Sequence, residues 1–397
     1  MTYLIGKGTA RMATDLPSTA EVVIIGGGVM GVSTAYHLAA AGMRDVVVLE
    51  RDELLGQGAT GRCAGGVRYQ FATKVNIRLS LASLPMLERF PDEIGVDPLY
   101  RPCGYLFVLT SPNDVTAFRR NAALQRSLGV DTLWLEPDEI RRRLPLMHFE
   151  DALGGTFHAK DGLADPNSVV QGYAARARSF GVRIFTGCRA IGIGLSGDRV
   201  VAVETPSGRI GCRHVVNAAG PWLAPIGALA GVKIPVEPIR RQMATTTPIP
   251  ELPADFPFTI DFAQSLYFHR EGDGLLTGMS NPAQATGFDQ SIDSEWEVAA
   301  LDAAAQRMPA LENAGRLAAW AGLYEVTPDA HPIFGPTSTE GFWVVGGFSG
   351  HGFMHGPIAG KLMAEFLTLG HAVTVDVSQL DLKRFTEGRL APEYNVV

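Results

Sequence analysis

The stretch Glu21-Val22-Val23-Ile24-Ile25-Gly26-Gly27-Gly28-Val29-Met30-Gly31 decides the fold. Residues 21–25 read as a short strand, because four consecutive β-branched side chains suit a strand buried on both faces. Gly26, Gly28 and Gly31 then match the spacing G-x-G-x-x-G. Helical character follows over residues 28–41, Gly42 stops it, and residues 46–49 form a second apolar strand closed by Glu50. This order is a βαβ unit with parallel strands. Gly26 makes the tight turn, Gly28 admits a pyrophosphate to the backbone, and Gly31 lets helix and strand pack closely. Val29 and Met30 open the helix, whose N-terminus presents free N–H groups and partial positive charge to phosphates. Glu50, with Arg51 beside it, stands where a ribose-binding acid belongs, and its charge disfavours a 2′-phosphate. The unit is a dinucleotide site.

The 397 residues imply roughly two or three domains. Apolar residues at 46% and charged residues at 19% place the chain among globular proteins. A net charge of −7 leaves no basic footprint for nucleic acid. Cys63, Cys103, Cys188 and Cys212 fit neither a disulfide framework nor a zinc site, so no metal is expected and a reducing cytoplasm is the natural compartment. Residues 1–20 carry Lys7, Arg11 and Asp15 and read as a loose arm rather than a secretory signal. No apolar run reaches the roughly 18 residues that would span a bilayer.

Beyond the βαβ unit the spacing predicts helices over 75–90, 113–128, 136–143, 166–180, 294–307 and 357–369. Strands are expected at 105–109, 182–185, 190–195, 200–204, 210–216 and 342–345, and residues 236–278 are β-rich. The nucleotide domain is therefore expected to be discontinuous, from 21–95, 150–235 and 320–397, with residues 96–149 and 236–319 forming a substrate domain. The fold class is an α/β Rossmann-like domain of the glutathione-reductase type plus an α+β domain with a large antiparallel sheet.

Three later segments point from a dinucleotide in general to FAD. The first, 58–68, follows the second strand and brings Ala59, Thr60, Arg62, Cys63, Ala64, Gly65 and Gly66 to an extended cofactor. The second ends a strand in Ala218-Ala219-Gly220-Pro221-Trp222, small residues that let backbone pack against the adenine side; Ala190 is also expected to bind the cofactor. The third is the turn Gly347-Phe348-Ser349-Gly350-His351-Gly352-Phe353, whose N–H groups would stabilise charge at the flavin edge.

On these residues, together with Thr327-Pro328-Asp329-Ala330-His331-Pro332, the chain resembles the D-amino-acid-oxidase-like family of FAD-dependent amine oxidoreductases from about residue 21 to 369. Within it the similarity is greatest to sarcosine oxidases, monomeric or β subunit, and to L-proline dehydrogenase β subunits. The resemblance implies oxidation of a small amino acid by hydride transfer to flavin N5, followed by hydrolysis of the imine. For sarcosine this gives glycine and formaldehyde, with hydrogen peroxide if oxygen takes the electrons. It equally allows an L-proline or D-amino acid dehydrogenase that uses another acceptor, and a monomer or a subunit of a hetero-oligomer. It places Arg68 beside the flavin, as a cation or a carboxylate anchor, and Tyr267 and Tyr324 in the active site. His269, two residues from Tyr267 on a strand, would share its face and shuttle a proton. His351 sits in the flavin turn.

Three positions depart from the sarcosine oxidase pattern. Met354 replaces a carboxylate-binding lysine, Leu276 aligns with an oxygen-activating lysine, and Gly322 replaces the cysteine that tethers flavin. The cofactor is therefore expected to be non-covalent. Acid precipitation should leave the yellow colour in the supernatant; a coloured pellet would refute the assignment.

Overall fold

The computed structural model describes residues 16–396, so most of the expected N-terminal arm lies outside the described residues. Two eight-stranded sheets dominate. The first runs in the order Ile333–Pro336, Phe342–Gly346, Gly208–Asn217, Thr19–Ile25, Val46–Leu49, Arg183–Phe185, with Arg199–Thr205 and Gly192–Ser196 attached beside the start of Gly208–Asn217. Its central strands are parallel, with Ile25 level with both Leu49 and Asn217, and Asn217 level with Val344. All four therefore end on one edge.

The run Val22–Ile25 is apolar throughout because both faces are covered. Val22 and Ile24 join a core built with the helices Val29–Ala40, Pro166–Ser179 and Gly352–Leu369, whereas Val23 and Ile25 join a second core on the opposite face. The first strand begins at Thr19, so Thr19 and Ala20 belong to the sheet and not to the arm. The C-terminal helix begins at Gly352 instead of 357; Pro357 lies inside it, near its start, where its missing N–H removes one early bond. A Cβ on Gly356 would lie 2.4 Å from Val29 Cγ2, and one on Gly360 would lie 2.2 Å from Ser33 Oγ. These two glycines let the helix press directly on Val29–Ala40.

The second sheet runs Arg316–Val326, Glu237–Thr246, Gly274–Met279, Leu266–Glu271, Phe258–Asp261, Tyr105–Leu109, Gly154–His158, Leu133–Leu135. Along Tyr105–Leu109, Leu106 and Val108 enter one core while Tyr105, Phe107 and Leu109 enter another that holds Met243, Phe258, Ile260 and Tyr267. Gly154–His158 and Arg316–Val326 lie wholly or partly in stretches expected on the nucleotide side, yet both pair here. Their hydrogen-bond partners, Tyr105–Leu109 and Glu237–Thr246, are far away in sequence.

The turn after Arg316–Val326 is fixed by an ion pair. Arg384 donates to both oxygens of Asp329 at 2.8 and 2.9 Å and to the His331 carbonyl at 2.9 Å, with the arginine 1% and the aspartate 3% exposed. Burial, the largest single influence, would raise the Asp329 pKa, but the hydrogen bonds and charge of Arg384 together with the His331 N–H hold the carboxyl below its ordinary value. Arg384→Met would strand a buried carboxylate. It should cost about 3–5 kcal/mol in chemical denaturation, and a loss under about 1 kcal/mol would contradict this role.

Candidate cofactor and substrate site

Between the strand ends of the first sheet and one face of the second lies a cleft of about 630 Å³. Ile25, Leu49 and Ala218 close it from the first sheet, and Tyr105, Met243, Phe258, Ile260 and Tyr267 from the second.

One end is built from the glycine turn. Gly28 precedes the helix Val29–Ala40, and the Met30 and Gly31 N–H groups at its start have no partner among the described residues, so they are available to a ligand. Gly26, Gly28, Val29 and Met30 line the cleft, and Val29 N–H reaches Thr60 Oγ1 at 3.3 Å. Gly31 lies beneath it, where a Cβ would sit 1.8 Å from the Gly26 carbonyl oxygen. Glu50 lines the cleft and accepts from Gly27 N–H at 2.7 Å and Asp52 N–H at 2.9 Å. Burial raises its pKa, and those two N–H groups oppose the rise. Arg51 stacks over Trp222, its Cζ 3.4 Å from the ring centroid. Ala190, Ala219 and Gly220 complete this end together with Arg189, Ile191, Ile226 and Leu229, of which sequence reasoning had named only the first three.

In the middle, Ala59, Thr60, Arg62, Cys63, Ala64, Gly65 and Gly66 line the cleft. Burial pushes the Cys63 thiol up to about 11, so it stays protonated. Gly322 faces the same space, and a Cβ there would lie 3.0 Å from Arg62 Cβ. Any side chain at 322 would require Arg62 to give way.

The far end holds Arg68, Tyr267, Tyr324, Ser349, Gly350, His351, Gly352, Phe353 and Met354. Burial raises both tyrosines, so their phenols remain protonated. His351 is pulled down to about 3, chiefly by burial, and is neutral; its Nε2 lies 3.1 Å from the Ala330 carbonyl oxygen. The flavin turn itself differs from expectation. Phe348 N–H and Ser349 N–H are consumed by Glu325, and His351 N–H by the Phe348 carbonyl. The Phe348 side chain is fully buried, and Gly347 packs against Thr327, so neither lines the cleft. Gly350, Gly352 and Phe353 line the cleft, and among the described residues no partner takes the Gly350 N–H or the first N–H groups of the helix that opens at Gly352.

His269 also stands outside the cleft. It shares Tyr267's side of the sheet, but its ring packs behind Phe258 at 5.1 Å with Nδ1 3.0 Å from the Arg270 carbonyl oxygen, and burial lowers it to about 4. It is not placed to meet a substrate. Arg68 reaches the cleft but donates to the carbonyls of Gln70 and Asn395 and lies 3.9 Å from the Phe71 ring centroid. Much of its hydrogen-bonding capacity is committed within the protein.

Sequence reasoning missed Arg241. It lines the cleft with its Cζ 5.2 Å from the Tyr324 ring centroid, its Nε has no partner, and among the described residues it pairs with no carboxylate. Its neighbour Arg240 points the opposite way, to Asp289 at 2.8 Å and Asp293 at 3.5 Å. Strand alternation through Arg240-Arg241 was the available signal. Leu276 is buried in the second sheet opposite His269 and does not line the cleft. Among the described residues no helix is long and apolar enough to cross a membrane, no cluster of acidic, histidine or cysteine side chains is placed to hold a metal, and the four cysteines are free thiols.

A free helix N-terminus for phosphates, a buried acid for ribose, glycine-lined walls and an aromatic far end fit a dinucleotide that carries a planar redox ring. Comparison with known proteins agrees. Residues 21–366 match the family model DAO, FAD dependent oxidoreductase. The chain is 31% identical over 401 residues to mitochondrial dimethylglycine dehydrogenase of Rattus norvegicus, covering 96% of this chain and 46% of that protein. It is 31% identical over 400 residues to mitochondrial sarcosine dehydrogenase of Homo sapiens, covering 96% and 43%. The chain thus spans less than half the length of these curated relatives. The solved L-proline dehydrogenase from P. horikoshii superposes with a TM-score of 0.88 at 31% identity, covering 95% of this chain and 100% of that one. With its glycine turn, its acid and the start of its flavin-side helix all within the matched span, the chain belongs to the DAO family of FAD-dependent oxidoreductases.

Proposed function

We propose that this chain oxidises the C–N bond of a small N-methylated amino acid, with sarcosine as the leading substrate and glycine and formaldehyde as the products after imine hydrolysis. The observation that carries the reading is Arg241, a guanidinium without a carboxylate partner among the described residues, set beside Tyr267 and Tyr324 in the aromatic end of the cleft. The dehydrogenases of dimethylglycine and sarcosine among its relatives support the same substrate class.

When bound, FAD supplies the hydride acceptor. The chain's own residues bind and orient. The N–H groups opening Val29–Ala40 would hold the pyrophosphate and Glu50 the ribose, while the residues from Ala59 to Gly66 would flank the cofactor without a covalent tether. Arg241 would anchor the substrate carboxylate in place of the lysine that Met354 replaces, since a guanidinium binds a carboxylate through parallel N–H bonds. Arg68 would add positive field while its donors remain on the protein. Tyr267, Tyr324 and Met354 would form the wall around the N-methyl group and exclude water, and pocket shape would set the preference among small amines.

For the electrons we propose oxygen as acceptor, with hydrogen peroxide formed. A second reading, transfer to a different acceptor, is supported by the relatives named as dehydrogenases of dimethylglycine and sarcosine.

Sarcosine added under nitrogen should bleach the flavin, and dimethylglycine and L-proline should do so more slowly. If no amino acid bleaches it, the reading fails. Fast reoxidation on admitting oxygen is the outcome for an oxidase, and slow reoxidation selects the second reading. Arg241→Met should raise KM for sarcosine at least roughly tenfold with a smaller change in kcat, as expected for the loss of a charged hydrogen-bonding partner in binding. An unchanged KM would remove Arg241 from the carboxylate site.

A further inference from the structure

Glu325 is a carboxylate that neither the glycine motif nor the amine chemistry requires. It stands next to Tyr324 at the end of Arg316–Val326, lines the cleft, and is 8% exposed. Its Oε1 accepts from Phe348 N–H at 3.2 Å. Its Oε2 is buried and has no partner among the described residues. That oxygen faces the gap between two glycines: a Cβ on Gly220 would lie 3.4 Å from it, and one on Gly346 would lie 3.3 Å away. A buried carboxylate oxygen without a partner is costly, so the position calls for a ligand that satisfies it.

We propose that Glu325 is a cofactor-binding residue whose free Oε2 hydrogen-bonds a ribityl hydroxyl of FAD. The position selects this part of the molecule. Gly220 follows the third parallel strand at the nucleotide end, Gly346 ends the neighbouring strand, and Glu325 itself follows Tyr324 of the ring end, so its free oxygen stands where the two ends of the cleft meet. Glu50, Arg51 and Trp222 occupy the adenosine end. The polyol is the polar section left between them. The chemistry also selects it. Burial pushes the Glu325 carboxyl up to about 7, against the N–H groups of Phe348 and Gly347 that favour its charged form. Near neutral pH the group therefore exists as both acid and carboxylate. A hydroxyl donates to one and accepts from the other, whereas a phosphate oxygen repels the carboxylate. The inference rests on FAD as cofactor and is independent of which amine is oxidised.

The test is cofactor affinity. Deflavinated wild type, Glu325→Gln and Glu325→Leu are titrated with FAD and with FAD analogues lacking one ribityl hydroxyl at a time, following flavin fluorescence. Glu325→Gln should bind FAD close to wild type, because its amide oxygen can keep the Phe348 bond and its NH₂ can meet the hydroxyl. Glu325→Leu should bind roughly tenfold more weakly, the scale of one hydrogen bond. One analogue should lose a similar factor with wild type and with Glu325→Gln, and nothing further with Glu325→Leu. If every analogue penalises Glu325→Leu as much as wild type, Glu325 does not touch the polyol. If wild type binds all the analogues as tightly as FAD, the proposal is overturned whether or not Glu325→Leu folds. Because no substrate is present, failure of the amine reading would leave this result unaffected.

Discussion

The parallel register of four strands is the constraint on which the rest depends. Ile25 pairs level with Leu49 and Asn217, and Asn217 with Val344, so their carboxyl ends form a single edge. The central groups of the nucleotide end hang from that edge: the Gly26 turn from the first strand, Glu50 from the second, Ala218 to Trp222 from the third. A parallel sheet leaves its loops and helix N-termini at such an edge, which is why an anionic ligand settles there. The apolar runs that hold this register are buried on both faces, so a slip would move charged flanking residues into two cores at once.

The second sheet does different work. Its strands alternate, and the alternation sorts side chains between a closed core and the cleft. Arg240 turns to its acidic partners while Arg241 turns to the aromatic end. Arg316–Val326 pairs within this sheet but delivers Tyr324, Glu325 and the Thr327–His331 turn to the boundary with the first. The Asp329–Arg384 pair fixes where that strand leaves the sheet. The motif Thr327-Pro328-Asp329 is therefore structural: it sets the position of groups on either side of it rather than touching a ligand itself.

Much of this was legible in the chain. Gly26, Gly28, Gly31 and Glu50 were recognisable because a turn, a close approach and an acid at fixed spacing are local requirements of backbone and charge. Gly322 and Met354 spoke through the absence of a particular side chain. Other assignments failed for identifiable reasons. His269 was expected at the cleft because it shares a face with Tyr267, but Phe258 from the neighbouring strand lies in front of it. Phe348 was grouped with the flavin turn, yet its side chain turns into the core beside Phe334, and its N–H is taken by Glu325. Neither neighbour could be known from positions 269 or 348 alone.

The sequence by itself determined the βαβ unit, carried the resemblance that pointed to FAD and the family, and named most of the residues that line the nucleotide end of the cleft, because those features are written in short runs. Only the tertiary structure decided that Arg241 faces the cleft, that Arg68 is tied to the Gln70 and Asn395 carbonyls, and that Glu325 keeps one oxygen free. Each of these depends on pairing between segments far apart in the chain. Whether a polar atom is satisfied or left for a ligand is a property of its neighbours and not of its residue type.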